Sequence, residues 1–115
     1  MAFSISLSDR TALVTGASKG VGKGIALGLA RAGCDVALNY NSDRSGAEKT
    51  ASEITELGRR VLLVQGNVGV ASEVDRMFEE VATWSERLDI LVNNAGGQTW
   101  SPLLELKEEQ WDHVI

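Results

Sequence analysis

Three glycines with a fixed spacing, Gly16, Gly20 and Gly22, are the residues whose types point most directly to a chemistry. They follow the apolar run Thr11–Thr15 and precede an amphipathic segment, so they lie between a predicted strand and a predicted helix. Glycine permits a tight turn at the first position, close approach to a phosphate at the second, and close helix packing at the third. A helix N-terminus also offers unpaired N–H groups and a partial positive charge, so the segment predicts a pyrophosphate site. An ordinary turn between strand and helix is the alternative.

The elements around these glycines follow from the hydrophobic pattern, in which short apolar runs alternate with amphipathic segments. The runs predict strands, and the segments between them predict helices, over these residues: strands 11–15, 36–39, 61–64 and 90–92; helices 21–32, 43–57, one beginning near 72, and 108–115.

Residue spacing also predicts which faces of these helices are buried. The apolar face of the first helix is predicted to contain Val21, Ile25, Leu29 and Ala32, and Gly33 to end that helix. Gly24 and Gly28, one turn apart, are expected to allow close packing on the sheet. The third helix has a stripe at 74, 77, 78, 81 and 84, and Ser72 with Asp75 resembles a capping arrangement at its start.

Four strands alternating with helices predict a parallel sheet, since each connection is longer than the dozen residues that a parallel crossover needs. The strands do not alternate with polar residues, so both faces of the sheet should be covered. Right-handed crossovers then give an α/β fold: a doubly wound, Rossmann-type sheet of order 3-2-1-4. We expect residues 1–115 to form one dinucleotide-binding domain. Its ligand should lie at the carboxyl ends of the strands, where the order reverses between strands 1 and 4.

Composition argues against several other classes of protein. Sixteen acidic and eleven basic residues give a net charge of −5, which disfavours binding to nucleic acid. The single cysteine, Cys34, excludes an internal disulfide and a multi-thiol metal site, and we expect it to be buried. No apolar stretch approaches the roughly 20 residues that span a bilayer. The N-terminus has no basic segment followed by an apolar run, so we expect a cytoplasmic protein with no membrane partner.

Two motifs together resemble the short-chain dehydrogenase/reductase family. The first is Thr15 followed by the glycine segment, and the second is the run Asn93-Asn-Ala-Gly96 after the fourth strand. The resemblance extends from about Ser8 to Ile115. Within the family, the sequence most resembles the branch of bacterial 3-oxoacyl-acyl-carrier-protein reductases and glucose dehydrogenases. It implies hydride transfer between a nicotinamide and a small-molecule carbonyl or secondary alcohol, by a homo-oligomer when full length.

The resemblance also implies which residues bind the cofactor, with Thr15 bracing the loop that holds them. The implied positions are Gly16, Ser18, Lys19, Gly20, Val21 and Gly22 at the phosphates; Asn41 and Ser42 after the second strand; Asn67 and Val68 beside the adenine; and Asn94, Ala95 and Gly96 at the ribose. Asn67 departs from the aspartate usual in the family. Its carbonyl oxygen still accepts hydrogen bonds, so we expect weaker binding rather than none.

The charges near the second strand favour NADP(H) over NAD(H), although NAD(H) stays open. A carboxylate at the end of that strand would bind the ribose of NAD and repel a 2′-phosphate. Here the stretch from Asn39 to Ser42 contains no acid, and Asp43 follows it. Lys19 occupies the position of a base in family members that prefer NADP, and Arg44 adds a second positive charge.

The residues that perform the family's proton transfer are not found in this sequence. That chemistry uses a tyrosine hydroxyl, a lysine four residues later and a serine. Tyr40 is the single tyrosine, four residues before Arg44, and it lies at the adenosine end of the predicted fold. We therefore assign no catalytic residue, and we interpret the chain as the cofactor-binding half of an oxidoreductase. A non-catalytic dinucleotide-binding or sensing module and an inactive truncated product are the alternatives.

Overall fold

The computed structural model describes residues 6–94, which form a four-stranded parallel sheet with three helices. The elements are, in chain order, β1 (Thr11–Val14), α1 (Gly20–Ala32), β2 (Asp35–Tyr40), α2 (Arg44–Glu56), β3 (Val61–Gln65), α3 (Ala71–Trp84) and β4 (Ile90–Val92). The strand order is β3-β2-β1-β4, which confirms the predicted order. The predicted helix over 108–115 lies outside the described residues.

Helices cover both faces of the sheet, as the unbroken apolar runs predict. Ala12 and Val14 of β1 pack in a cluster with α1 and α2, whereas Leu13 between them packs with α3 on the opposite face. All four residues of β1 are buried. Cys34, just before β2, is fully buried as expected, and burial raises the pKa of its thiol.

The buried face of α1 differs from the predicted one. Val21 is 72% exposed, and the residues buried along this helix are the small ones, Gly22, Ala26 and Ala30. Ile25 and Leu29 flank that line and pack against the core while staying partly exposed. Three small residues at four-residue steps let the helix axis approach the sheet, so the larger apolar residues lie beside the contact line. The helix ends where predicted, with Gly33 at a φ of 113°.

Two further local expectations are wrong. A Cβ built on Gly24 or Gly28 meets no atom within 4 Å, so neither glycine allows close packing within the described part of the chain. Helix α3 begins at Ala71 with Val70 as its N-cap, and no side chain caps it. Ser72 therefore lies inside the first turn. Its predicted capping role fails because the N-cap position is occupied by Val70, two residues earlier.

Strand register places the functional loops together. Val14 of β1 is paired with Leu38 of β2 on one side and with Val92 of β4 on the other. Asn39 of β2 is paired in turn with Val64 of β3. The carboxyl ends of all four strands consequently meet at one edge of the sheet, where the order reverses between β1 and β4.

Candidate functional site

A cleft opens along this edge, above the carboxyl ends of the strands. Its volume is about 420 Å³, within the range common for small-molecule sites. The cleft brings together eight of the residues predicted to bind a cofactor: Gly16, Ser18, Lys19, Asn41, Ser42, Asn67, Val68 and Asn94. Asn39, Tyr40, Asp43 and Gly66 complete its lining.

The loop between β1 and α1, residues 15–22, has the backbone shape that its glycines predict. Gly16 and Gly20 have φ values of 61° and 62°, a region that other residues rarely adopt. A Cβ on Gly20 would meet no protein atom within 4 Å, so this position faces open space. Gly22 packs closely on the loop itself, because its Cβ would lie 2.9 Å from the Gly16 carbonyl carbon and 2.6 Å from Nδ2 of Asn94.

The N-terminus of α1 is suited to an anion. Its N-cap, Lys19, makes no side-chain hydrogen bond to the helix, and the first turn contains no acidic residue. The N-terminus of α2 differs, since Oδ1 of Asp43 accepts a hydrogen bond from the Gly46 N–H at 3.0 Å. The first N–H groups of a helix need an acceptor, so at α1 that role is left to a bound phosphate or to solvent. The loop and helix thus fit the pyrophosphate of a dinucleotide.

Thr15 joins the loop to the end of β4. Its N–H donates to the Val92 carbonyl at 3.0 Å, and its Oγ1 accepts from the Asn94 N–H at 2.8 Å. The Asn94 side chain adds a longer contact, from Nδ2 to the Gly16 carbonyl at 3.4 Å. These bonds hold the Asn93–Asn94 segment against the loop. The remaining two residues of that motif, Ala95 and Gly96, lie outside the described residues.

The charged groups at the end of β2 are unequally available to a ligand. The Asp43 carboxylate is engaged as the cap of α2, and the Arg44 guanidinium pairs with Glu48 at 3.0 Å. Lys19 is exposed at the cleft, and none of the ion pairs found within residues 6–94 involves it. Lys19 is therefore the cation on this cleft that is ready for a phosphate, whereas the expected contribution of Arg44 requires release from Glu48.

Asn67 lies in the turn that follows β3, and its side chain takes part in the hydrogen bonds of that turn. Its Oδ1 accepts from the Gly69 N–H at 2.8 Å, and its own N–H donates to the Glu73 carboxylate at 2.9 Å. The amide oxygen proposed for the adenine amino group is thus already used once. A carbonyl oxygen accepts two hydrogen bonds, so one lone pair is left for a ligand.

Sequence reasoning missed two residues that shape the cleft. Asn39 is 1% exposed, and its Oδ1 accepts from the Gly16 N–H at 3.2 Å. Gly46 lets the first turn of α2 approach the loop, because a Cβ there would lie 2.7 Å from the Ser18 carbonyl. A polar residue inside an apolar strand was the available signal for Asn39. Nothing in the local pattern distinguishes Gly46 from a poor helix former.

The remaining observations concern the position of Tyr40, metal ligands and membrane-spanning helices. Tyr40 is buried beside the cleft at the β2 end, away from the β1–β4 switch point. In the described part of the chain, no group of three or more histidine, cysteine or acidic residues could hold a metal ion. No helix among residues 6–94 is long and apolar enough to cross a membrane.

Comparison with known proteins gives consistent matches. A family model described as short chain dehydrogenase matches residues 10–115. The chain is 45% identical over 106 residues to the 3-oxoacyl-acyl-carrier-protein reductase FabG of Staphylococcus aureus, covering 92% of this chain and 43% of the reductase. It is 41% identical over 110 residues to the hydroxynaphthalene reductase-like protein Arp2 of Metarhizium robertsii, covering 96% and 41%.

A solved structure agrees with the sequence relatives. A short chain dehydrogenase from Burkholderia cenocepacia, in complex with NADP, superimposes with a TM-score of 0.77 at 37% identity, covering 94% of this chain and 44% of that one. The chain therefore spans less than half the length of the relatives that it matches.

Proposed function

The chain belongs to the short-chain dehydrogenase family, and on that premise we propose that it is the NADP(H)-binding half of an oxidoreductase. The protein transfers hydride between the nicotinamide and a carbonyl or secondary alcohol of a small molecule. Catalytic serine, tyrosine and lysine residues come from sequence outside residues 1–115. The proposal extends to a cytoplasmic homo-oligomer that uses neither nucleic acid nor membrane as a partner.

The observation that carries the proposal is the open N-terminus of α1 under the glycine loop. Gly16 and Gly20 have left-handed backbone, Gly22 closes tightly on Gly16, and no side chain caps the helix. This arrangement presents main-chain N–H groups and the positive end of a helix to the cleft. An ordinary turn would not require two left-handed glycines together with a third glycine packed against the first.

Preference for NADP(H) rests on the charges around the same cleft. Asp43 is the nearest acid after β2, and its carboxylate is engaged with the Gly46 N–H. Lys19 lies on the cleft without an acidic partner among residues 6–94. A 2′-phosphate placed beside Lys19 meets an exposed cation, while Asp43 keeps its negative charge and directs Oδ1 to the Gly46 N–H; the contact with Lys19 favours the phosphorylated cofactor.

The roles of this chain's residues are binding and orientation. The bound nicotinamide supplies the hydride chemistry. N–H groups of the loop hold the pyrophosphate, while Gly66, Asn67 and Val68 at the end of β3 form the wall for the adenosine. Thr15 keeps the Asn93–Asn94 segment beside the ribose. Fixed donors of this kind lower the entropic cost of bringing the reacting groups together.

Equilibrium binding of NADPH and NADH to the protein that carries this sequence tests the proposal. We expect NADPH to bind at least tenfold more tightly, which corresponds to about 1.4 kcal/mol. Equal affinities, or tighter binding of NADH, would overturn the cofactor assignment. Failure of both cofactors to bind would overturn the function itself.

A non-catalytic module that binds or senses the dinucleotide is the second candidate. It is favoured by one observation: the single tyrosine of this sequence, Tyr40, is buried at the adenosine end of the cleft. Turnover separates the two candidates. Carbonyl reduction by residues 1–115 alone with NADPH should be undetectable. If it is detected, the proton donor lies within residues 1–115 and our assignment of the catalytic residues to other sequence is wrong. Reduction by the full-length protein supports the enzyme, whereas binding without turnover supports the module.

A further inference from the structure

The Asn39 side chain occupies a central place beneath the cleft. It belongs to β2, is 1% exposed, and is hydrogen-bonded on both sides of its amide. Oδ1 accepts from the Gly16 N–H at 3.2 Å, and Nδ2 lies 3.1 Å from the carbonyl oxygens of both Val64 and Gly66. One buried side chain on β2 thus contacts the backbone of two other segments, the glycine loop and the end of β3.

The partners of this amide are the two walls of the cleft. Gly16 begins the loop that faces the phosphates, and Gly66 begins the segment that continues into Asn67 and Val68. Gly66 is also held by its own N–H, which donates to the Tyr40 carbonyl at 2.9 Å. The Asn39 side chain therefore links one wall to the other, beside main-chain bonds that hold each wall on β2.

The chemistry of the amide suits this task. An asparagine side chain is neutral and combines an acceptor with two donors, which matches one N–H and two carbonyls. A carboxylate would keep the acceptor and lose the donors, while an aliphatic side chain would lose both. A buried backbone group without a hydrogen-bond partner costs free energy. We therefore expect either substitution to displace the walls of the cleft.

We propose that Asn39 is a positioning residue that fixes the separation between the glycine loop and the Gly66–Val68 wall. Asn39 lines the cleft but is only 1% exposed, so it sets the affinity of a ligand that contacts both walls through their separation. The proposal rests on the dinucleotide site proposed above, because the ligand must reach from the phosphates to the adenine wall.

Two substitutions of Asn39 differ in what they retain. Asn39→Leu removes every side-chain hydrogen bond and keeps the number and branching of the side-chain heavy atoms, although its methyl groups are larger. Asn39→Asp retains an acceptor for the Gly16 N–H but places a second oxygen against the carbonyls of Val64 and Gly66. When that carboxyl group is protonated, its O–H again donates to a carbonyl, so lower pH should restore part of the bonding.

Thr11→Val is the matched control. Thr11 is a buried polar residue whose Oγ1 is 3.0 Å from Oγ of Ser85, and it lies at the amino end of β1, away from the cleft. Its substitution removes a buried hydrogen bond without altering either wall. It therefore reports the effect of lost stability alone.

Binding of NADPH and of 2′,5′-ADP to the full chain is measured by calorimetry between about pH 6 and pH 8. We expect Asn39→Leu, and Asn39→Asp at the upper pH, to weaken both ligands about tenfold or more. The Asn39→Asp deficit relative to wild type should shrink as the pH falls, and Thr11→Val should bind like wild type. Deficits no larger than that of Thr11→Val, or an Asn39→Asp deficit that does not change with pH, would overturn the proposal.

A ligand-free measurement separates this proposal from the proposed function. In Asn39→Asp, the NMR signal of the Gly16 amide should shift with pH as the introduced carboxyl group titrates, and in wild type it should not. If the signal shifts but wild type binds neither NADPH nor 2′,5′-ADP, the link between residue 39 and the glycine loop is confirmed and the dinucleotide assignment is wrong. If the signal does not shift, the proposed link through Asn39 is refuted, whichever ligand the wild type binds.

Discussion

Replacement of Gly22 by alanine tests the geometry of the glycine loop most directly. The new Cβ would lie 2.9 Å from the Gly16 carbonyl carbon and 2.6 Å from Nδ2 of Asn94, where ordinary contact begins at 3.4 Å. The Gly16 backbone must therefore move by at least about half an ångström, or α1 must tilt away from the loop. Overpacking of this kind costs about 1–3 kcal/mol, and displacement of the loop disturbs the N–H groups aimed at the phosphates. We expect NADPH affinity to fall about tenfold or more.

Gly24→Ala provides the matched comparison on the same helix. A Cβ there meets nothing within 4 Å, so alanine should stabilise the protein by about 0.5–1 kcal/mol through helix propensity and leave NADPH binding unchanged. Urea unfolding and fluorescence titration with NADPH measure both quantities for each variant. If Gly22→Ala is as stable as Gly24→Ala and binds NADPH equally well, the close contact between Gly22 and the loop has no functional meaning.

Three further predictions concern charges and hydrogen bonds. Lys19→Ala should weaken NADPH about fivefold and NADH hardly at all in paired titrations, and an equal loss for both cofactors would contradict its role at the 2′-phosphate. Asn67→Asp should keep the Gly69 turn while freeing an oxygen, tightening NADPH about threefold by calorimetry; unchanged or weaker binding would contradict this. The hydrogen bond from Arg87 lowers the pKa of Asp89, so its stabilisation is complete above the unfolded pKa of about 4 and is lost as pH falls through the lower folded value. Urea unfolding from pH 6 to pH 3 should show the gap between wild type and Asp89→Asn closing towards acid, and a constant gap would refute the assignment.

The fold was predictable because its strands are unbroken apolar runs separated by segments with helical periodicity. Strand order and the covering of both faces follow from connection length and from the missing polar alternation, and the structure confirms both. Faces of individual helices were less predictable. In α1 the buried residues are Gly22, Ala26 and Ala30, and a hydrophobicity pattern gives small residues too little weight to show that. The start of α3 at Ala71 depended on loop geometry after β3 rather than on Ser72.

The shape of the loop in the candidate site was predictable where backbone conformation demands a residue type, as at Gly16 and Gly20. It was not predictable where the requirement arises from a distant segment. Asn39 is important because Gly16 and Gly66 converge on it, and Gly46 because Ser18 lies against it. Likewise, sequence alone shows Asp43 as an available acid and Arg44 as an available cation. Only the folded structure shows that a helix cap engages the first and Glu48 the second.

The bond from Asn94 to Thr15 has a kinetic consequence, because it joins residues 79 positions apart in the chain. Closing so long a loop is entropically expensive, and parallel pairing of distant strands is slow. We therefore expect this edge of the cleft to form only when β4 pairs with β1, later than the contacts within each β–α–β unit. A nucleotide that binds across the junction of β1 and β4 would favour the paired state by mass action. It would therefore stabilise its own binding site.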